Sequence, residues 1–490
     1  MRAWLLALVL VSTAAFAHVG SPDVFFEGDT GPYHLLVTVR PPAMIPGVAD
    51  VEVRATSGTV SSVRITPIYI TGKDPGLPPT PDQMTPVDGD PKSYSGKVWL
   101  MASGSWEVRV DVEGTGGNGR IGVPVAAFAR RTLPMQTALG TLLFGLMLVL
   151  AIGIISIAGA STREGQLEPG VQPASKNLRR ARIAMLVATI MVLALLYLGN
   201  SWWNSEASSL KHDMLYQAPP LAASLQDGSR LMLQVGQSDW HDLRKNSWSM
   251  QFTPDHGHLM HLFLLRVPAM DRFYHLHPEQ TKDGAFEQNL HSVSAGHYKV
   301  FADVVRESGF PDTMVTEIDL PEINSPEIAG QPKEGDDSSV AAAAFAQPSA
   351  VGEEVSTLAD GFRMIWEHDD TPAVVGKLSW FRFKLEDGSG KPVTGLEPYM
   401  GMAGHAVFIR SDETVFAHIH PAGSAPMAAL AITEKDQSVT GLVAMNHTMG
   451  MPAEVSFPYG FPQAGDYRMF VQIKRAGHVE TGVFDTHVAN

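Results

Sequence analysis

Two segments of this 490-residue chain repeat one spacing of ring nitrogens: a histidine, an arginine five positions on, and His-x-His-Pro after seven or eight more. The first copy holds His261, Arg266, His275, His277 and Pro278; the second holds His405, Arg410, His418, His420 and Pro421. Each is followed by a matching stretch, AGHYKVFADVVR from Ala295 and AGDYRMFVQIKR from Ala464. Alternate residues of a β-strand face the same side. His275 with His277, and His418 with His420, therefore read as ligand pairs. His261 and His405 supply a third imidazole if each lies on a strand that pairs with the next one as a hairpin. Neutral imidazole is the commonest protein ligand for transition metals. Buried histidines satisfied by core hydrogen bonds are the structural alternative.

Further donors surround both copies. In DHGHLMH, His258 is a candidate fourth ligand if a turn or bulge brings it to His261, while His256 reads as the polar start of a strand. Met400 and Met402 precede His405, and the second copy carries an insertion that includes Met445, His447, Met449 and Met451. The chain has no cysteine and 22 methionines. Any soft ligand must therefore be a thioether, which suits Cu(I) and favours copper over the alternative, zinc. Separately, Ala15-Phe16-Ala17 reads as a signal-peptide cleavage site. Cleavage there would leave His18 as an amino-terminal ligand, with His34 as its candidate partner on Cu(II).

The elements that must position these residues are of two kinds. Residues 132–160 and 183–203 are uncharged, apolar and long enough to cross a bilayer. Arg163, Lys176, Arg179, Arg180 and Arg182 fall around the 161–182 connection, which puts that loop in the cytoplasm. With residues 1–17 as a signal peptide, the large soluble parts face the periplasm and the chain sits in a bacterial inner membrane. Outside the spans, short alternating runs broken by Gly, Pro and Asp predict antiparallel strands. The expected fold is three Ig-like β-sandwiches (18–130, 217–321 and 355–490) plus a two-helix transmembrane hairpin, with 322–354 as a flexible linker.

A net charge of −15 argues against nucleic acid as a partner. The short connection leaves no room for a cytoplasmic catalytic domain, and neither a phosphate-binding glycine loop nor HExxH is present. YSGKVWLMASGSWEVRVDVEG resembles the end of FixH/YtkA-like sandwiches of bacterial membrane proteins. GHAVFI, FAHIHP and FPQAGDYRMFVQIKR, with their counterparts in the first copy, resemble extracytoplasmic β-sandwich modules found near copper and heavy-metal proteins. That resemblance implies the fold and the location. The expected function is binding, not catalysis: copper capture, buffering or delivery outside the membrane, with an envelope or membrane protein as partner. The alternatives are a metal-free envelope scaffold and a three-histidine metalloenzyme.

Overall fold

The computed structural model describes residues 21–70, 79–168, 170–238, 240, 251–324, 335–343, 354–368, 372–435 and 451–490. The leader, His18 and the Met445, His447 and Met449 group lie outside these residues. The chain divides into two compact units, Arg130–Leu215 and the remainder. The smaller unit is two helices, α1 (Thr137–Glu164) and α2 (Ser175–Met214), both long and apolar enough to cross a membrane. Their large apolar side chains are almost all exposed, as a lipid-facing surface requires. α1 starts inside its apolar stretch and runs four residues past it, whereas α2 outruns its stretch at both ends. Lys176, Arg179, Arg180 and Arg182 belong to the first turns of α2, because Lys and Arg are good helix formers.

The larger unit is mostly β-sheet. In the amino-terminal part, a five-stranded and a four-stranded sheet enclose one core built from Phe26, Val37, Val53, Val108 and Val123 among others. Strand Gly47–Ser57 alternates buried and exposed positions, as expected for a sheet with one wet face. Each repeat likewise pairs two sheets around its own core.

The repeated histidine strands break that alternation. His261–Arg266 and His405–Arg410 are buried at every position except the terminal arginine. Each pairs with the following strand, Arg272–Leu276 or Phe416–Ile419, and on its other side with Gly296–Arg306 or Gly465–Arg475. One face, carrying Leu262, Leu264 and Val300 in the first repeat and Ala406, Phe408 and Met469 in the second, fills the repeat's own core. The other face packs against the other repeat. Phe263, Leu265, Phe273 and Phe301 meet Val407, Ile409, Phe416 and Phe470 in a single cluster. Phe273 stacks on Phe470 at 4.1 Å and Phe301 on Phe416 at 4.4 Å, with both pairs near parallel. In the repeat alignment Phe273 corresponds to Phe416 and Phe301 to Phe470. The two contacts are thus reciprocal, as across an isologous interface.

The motif arginines serve this scaffold. Arg266 donates to the Ala295 carbonyl and Arg410 to the Ala464 carbonyl, while Asp271 and Asp412 pair with their guanidinium groups. The next residue must be glycine: a Cβ on Gly465 would lie 2.8 Å from Arg410 Nε, and its φ is +135°.

The expected linker is partly structural. Ser338–Ala341 adds a strand beside Arg272–Leu276, and the Arg468 guanidinium donates to the carbonyls of Met270 and Ala343. The insertion in the second repeat contains a helix, α3 (Met427–Lys435), which the strand pattern did not predict. Leu430 of α3 enters the amino-terminal core, and Thr433 donates to the Gly122 carbonyl.

Phe470→Ala removes one of the two reciprocal stacks. It should destabilise the detergent-solubilised chain by about 3–5 kcal/mol in denaturant unfolding, as large-to-small core changes do. A cost near zero would show that the two repeats do not pack through this face.

Candidate metal centre

The interface that buries the phenylalanines also gathers eight imidazoles. His261, His275 and His277 arrive from the first repeat, and His405, His418 and His420 from the second. His256 and His258 join them from the turn ahead of His261. That turn is a tight two-residue reversal closed by reciprocal backbone bonds between Asp255 and His258, 2.8 and 3.0 Å long. Its central residues, His256 and Gly257, both have positive φ (+53° and +91°), the geometry of a type I′ turn. Tyr399–Met402 repeats the geometry, with Met400 and Gly401 at +48° and +81°. Met400 and Met402 thus occupy the positions that His256 and His258 hold in the first repeat, and both are buried.

Sequence spacing grouped the histidines repeat by repeat, and rings within each repeat are indeed adjacent. His261 lies 5.0 Å from His277, and His405 lies 5.0 Å from His420. The ring nitrogens that converge, however, come from both repeats. His256, His405 and His420 form one group, and His261, His275 and His418 the other, with the donor atoms of each group within 4.8 Å of one another. Both groups are near-equilateral in their ring centres: 4.9, 4.9 and 5.0 Å in the first, 5.2, 5.4 and 5.7 Å in the second. His256, read from sequence as a strand start, is a full member, because the turn swings it across the interface. His258 stacks on His277 at 4.0 Å, with its Nε2 3.6 Å from Asp336. His277 donates from Nδ1 to Asp337 and keeps a buried, unpartnered Nε2. Asp336 and Asp337 come from the expected linker.

The surroundings fix which nitrogen of each ring is free. His261 Nε2–H donates to the Asp255 carbonyl at 3.1 Å, which leaves the Nδ1 lone pair. His275 Nδ1–H donates to Gln472 Oε1 at 2.8 Å, which leaves Nε2. The Gln472 amide is itself oriented, since its NH2 group donates to Ser338 and Thr481. The two remaining lone pairs face each other at 3.2 Å. Two imidazole nitrogens bound tetrahedrally to one ion at the usual ~2.0–2.1 Å sit about 3.3 Å apart. In the other group, His256 Nδ1–H donates to the Met400 carbonyl at 2.9 Å, and its Nε2 lies 3.3 Å from His420 Nε2. His405 is fully buried, with neither nitrogen partnered. Ring N–H groups held by carbonyls, carboxylates and amides are the usual outer layer of a histidine metal site.

Two such outer partners cross the interface reciprocally. Gln472, opposite His405 in its sheet, reaches His275; Asp303, opposite His261, lies 3.6 Å from His418 Nδ1. Burial holds the His261, His275, His405 and His420 side chains well below the usual imidazole range, and neighbouring imidazoles push the same way. His256 is lowered too, again chiefly by burial. These rings are therefore neutral and able to ligate.

Elsewhere, His34 is held between Asp29 and Glu27 at 2.6 and 3.0 Å. Burial lowers its pKa, but the two carboxylates outweigh this and the net shift is upward. Both its nitrogens are engaged by acids, and its expected partner, His18, is outside the described residues.

A family model described as a domain of unknown function, DUF8832, matches residues 225–318 and 356–490, the two repeats that supply the eight imidazoles. No curated protein matches. Among solved structures, native α-2-macroglobulin of Escherichia coli aligns at 10% identity and TM-score 0.19, over 99% of this chain and 23% of that one. Latent PorU of Porphyromonas gingivalis aligns at 9% and 0.14, over 96% and 34%. This chain thus spans only a quarter to a third of either. A putative membrane-anchored protein of Corynebacterium diphtheriae aligns at 9% and 0.13, over 96% of both chains.

The lowered histidines set the sign of the pH response. A folded state that resists protonation binds fewer protons than the unfolded chain. Its stability is therefore complete above the unfolded imidazole value of 6.5 and is lost as pH falls below it. The metal-free chain should show a flat melting temperature above that pH and a steep fall beneath it. Gln at both 261 and 275 should flatten the fall, and an unchanged profile would contradict the neutral buried cluster.

Proposed function

We propose that this chain is a membrane-anchored, extracytoplasmic metal-binding protein that captures, buffers or delivers copper, with zinc as the alternative ion. The observation that carries the metal reading is the pair of lone pairs on His261 Nδ1 and His275 Nε2. In the neutral rings, a proton on either nitrogen would turn a lone pair of that ring toward the Asp255 carbonyl or Gln472 Oε1. A proton shared by an imidazolium would relieve the clash, but burial works against that charge. A metal cation satisfies both rings at once. Copper is favoured by an all-imidazole donor set beside buried methionines in a chain without cysteine. The extracytoplasmic location rests on the leader-like first residues, the basic flank of α2 and the resemblance of the repeats to exported modules. Two membrane helices would keep the site near a membrane partner, raising its effective concentration there.

A metal-free scaffold is the competing reading, and ligand linkage separates the two. Ions that bind only the native state stabilise it by about 2.7 kcal/mol at a hundredfold excess over Kd. The tag-free, detergent-solubilised chain should bind Cu(I), Cu(II) or Zn(II) and gain melting temperature with it. His405→Ala and His418→Ala should each lower the bound metal and most of that gain. No gain with any of the three ions would leave the scaffold.

A further inference from the structure

The boundary between the two imidazole groups contains no separating layer. His418 of one group lies 4.7 Å from His420 and 5.6 Å from His405 of the other, and His256 lies 6.0 Å from His261. Spacing across the boundary equals spacing within each group, so six rings form one packed cluster with two focal points. Each group offers three imidazole donors, which leaves a four-coordinate ion one open position. A cavity of about 150 Å³ reaches both groups: His261 and His418 of one and His420 of the other line it, together with Asp255 and Asp303. Its far wall is the amino-terminal sandwich, including Asp23 and Phe128.

Charge then decides what the cavity admits. Two divalent ions held only by imidazoles, which bring no negative charge, leave a large positive charge in a buried place, and a bound ion is the dominant local charge. Asp303 lies 3.6 Å from His418, with its Oδ1 buried and unpartnered, and supplies one compensating carboxylate from the protein. Asp255 supplies a second, with one oxygen accepting from the Ala428 N–H at the start of α3, which still leaves two divalent ions under-compensated. The remaining charge calls for an exogenous anion small enough for the cavity.

We infer that the two groups are one dinuclear centre, whose paired open positions bind a single small anion, of the size of hydroxide or azide, between the metals. This deepens the metal reading and rests on it. The test uses the full-length chain in detergent, loaded with two equivalents of Cu(II) and freed of unbound metal. Bound copper is counted chemically and by integrated EPR. The expected result is two coppers per chain with most of the EPR intensity lost through exchange coupling. Titrated azide should produce one charge-transfer band that saturates at one azide per copper pair. His256→Ala and His275→Ala, each removing one ligand from a different group, should leave one copper with full EPR intensity and abolish the bridging band. Circular dichroism checks that each variant is folded. Two coppers with full, unbroadened intensity, or azide bound to each copper independently, would overturn the dinuclear centre while leaving metal binding intact. No retained copper would overturn both.

Discussion

The constraint on which the rest depends is that a buried polar atom needs a partner. Two sheets packed through their histidine-bearing faces have removed eight imidazoles from most contact with water. Part of that face is satisfied by phenylalanine stacking alone, which requires only shape. The imidazoles require more. Carbonyls of Asp255 and Met400, the amide of Gln472 and the carboxylate of Asp337 take one nitrogen from each of four rings. What is left over points inward, at other imidazoles. Leaving such atoms unmet costs about 1–3 kcal/mol each, a substantial part of the net stability of a domain. The outer hydrogen bonds therefore define the chemistry of the centre as firmly as the rings do.

Duplication explains how the arrangement arises from so short a motif. Each repeat carries the same histidine-bearing strands, and the repeats meet through the same face, so the central contacts between them come in reciprocal pairs. The stacks Phe273–Phe470 and Phe301–Phe416 show this, and Gln472 and Asp303 repeat it in polar form. The histidines nearest the centre of the interface, His275 and His418, consequently lie among residues of both repeats. A site confined to one sandwich would need its ligand pair to turn away from the face on which it is packed.

Much of this was legible in the repeats. The hairpin pairing that brings His261 beside the His-x-His strand follows from chain length and apolar pattern, and it is present. The two long apolar helices were plain from composition. Less legible was that HLFLL and HAVFI are apolar at every position after the histidine, which in an antiparallel sheet means burial on both faces. That feature announces a packed partner, and the partner is the other repeat. His256 was obscured because a turn was read as a strand start. Aligning DHGH with YMGM would have exposed it, since glycine recurs three positions in and the histidine follows three residues after the fourth. Asp303 and Gln472 were also readable, as polar residues at the same place in otherwise apolar strands. The pairing of Asp336 and Asp337 with His258 and His277 was not, because a polar stretch carries no periodic pattern to tie it to a particular edge.

The departures from symmetry bear on chemistry more than the symmetry does. Under exact duplication, the group of His256, His405 and His420 would be matched by Met400, His261 and His277. Instead His261 turns its free nitrogen to His275, and Met400 contributes its backbone carbonyl to orient His256. One group thus has its outer contacts from neutral carbonyls, while the other has a carboxylate, Asp303, beside His418 and an amide on His275. A carboxylate near a ligating imidazole makes that imidazole more basic and favours the higher charge state of the ion it holds. Ions held at the two positions would therefore differ in affinity and, for a redox metal, in potential. That inequivalence follows from a single pair of differences between the repeats, aspartate against glutamine at 303 and 472, and histidine against methionine at 256 and 400.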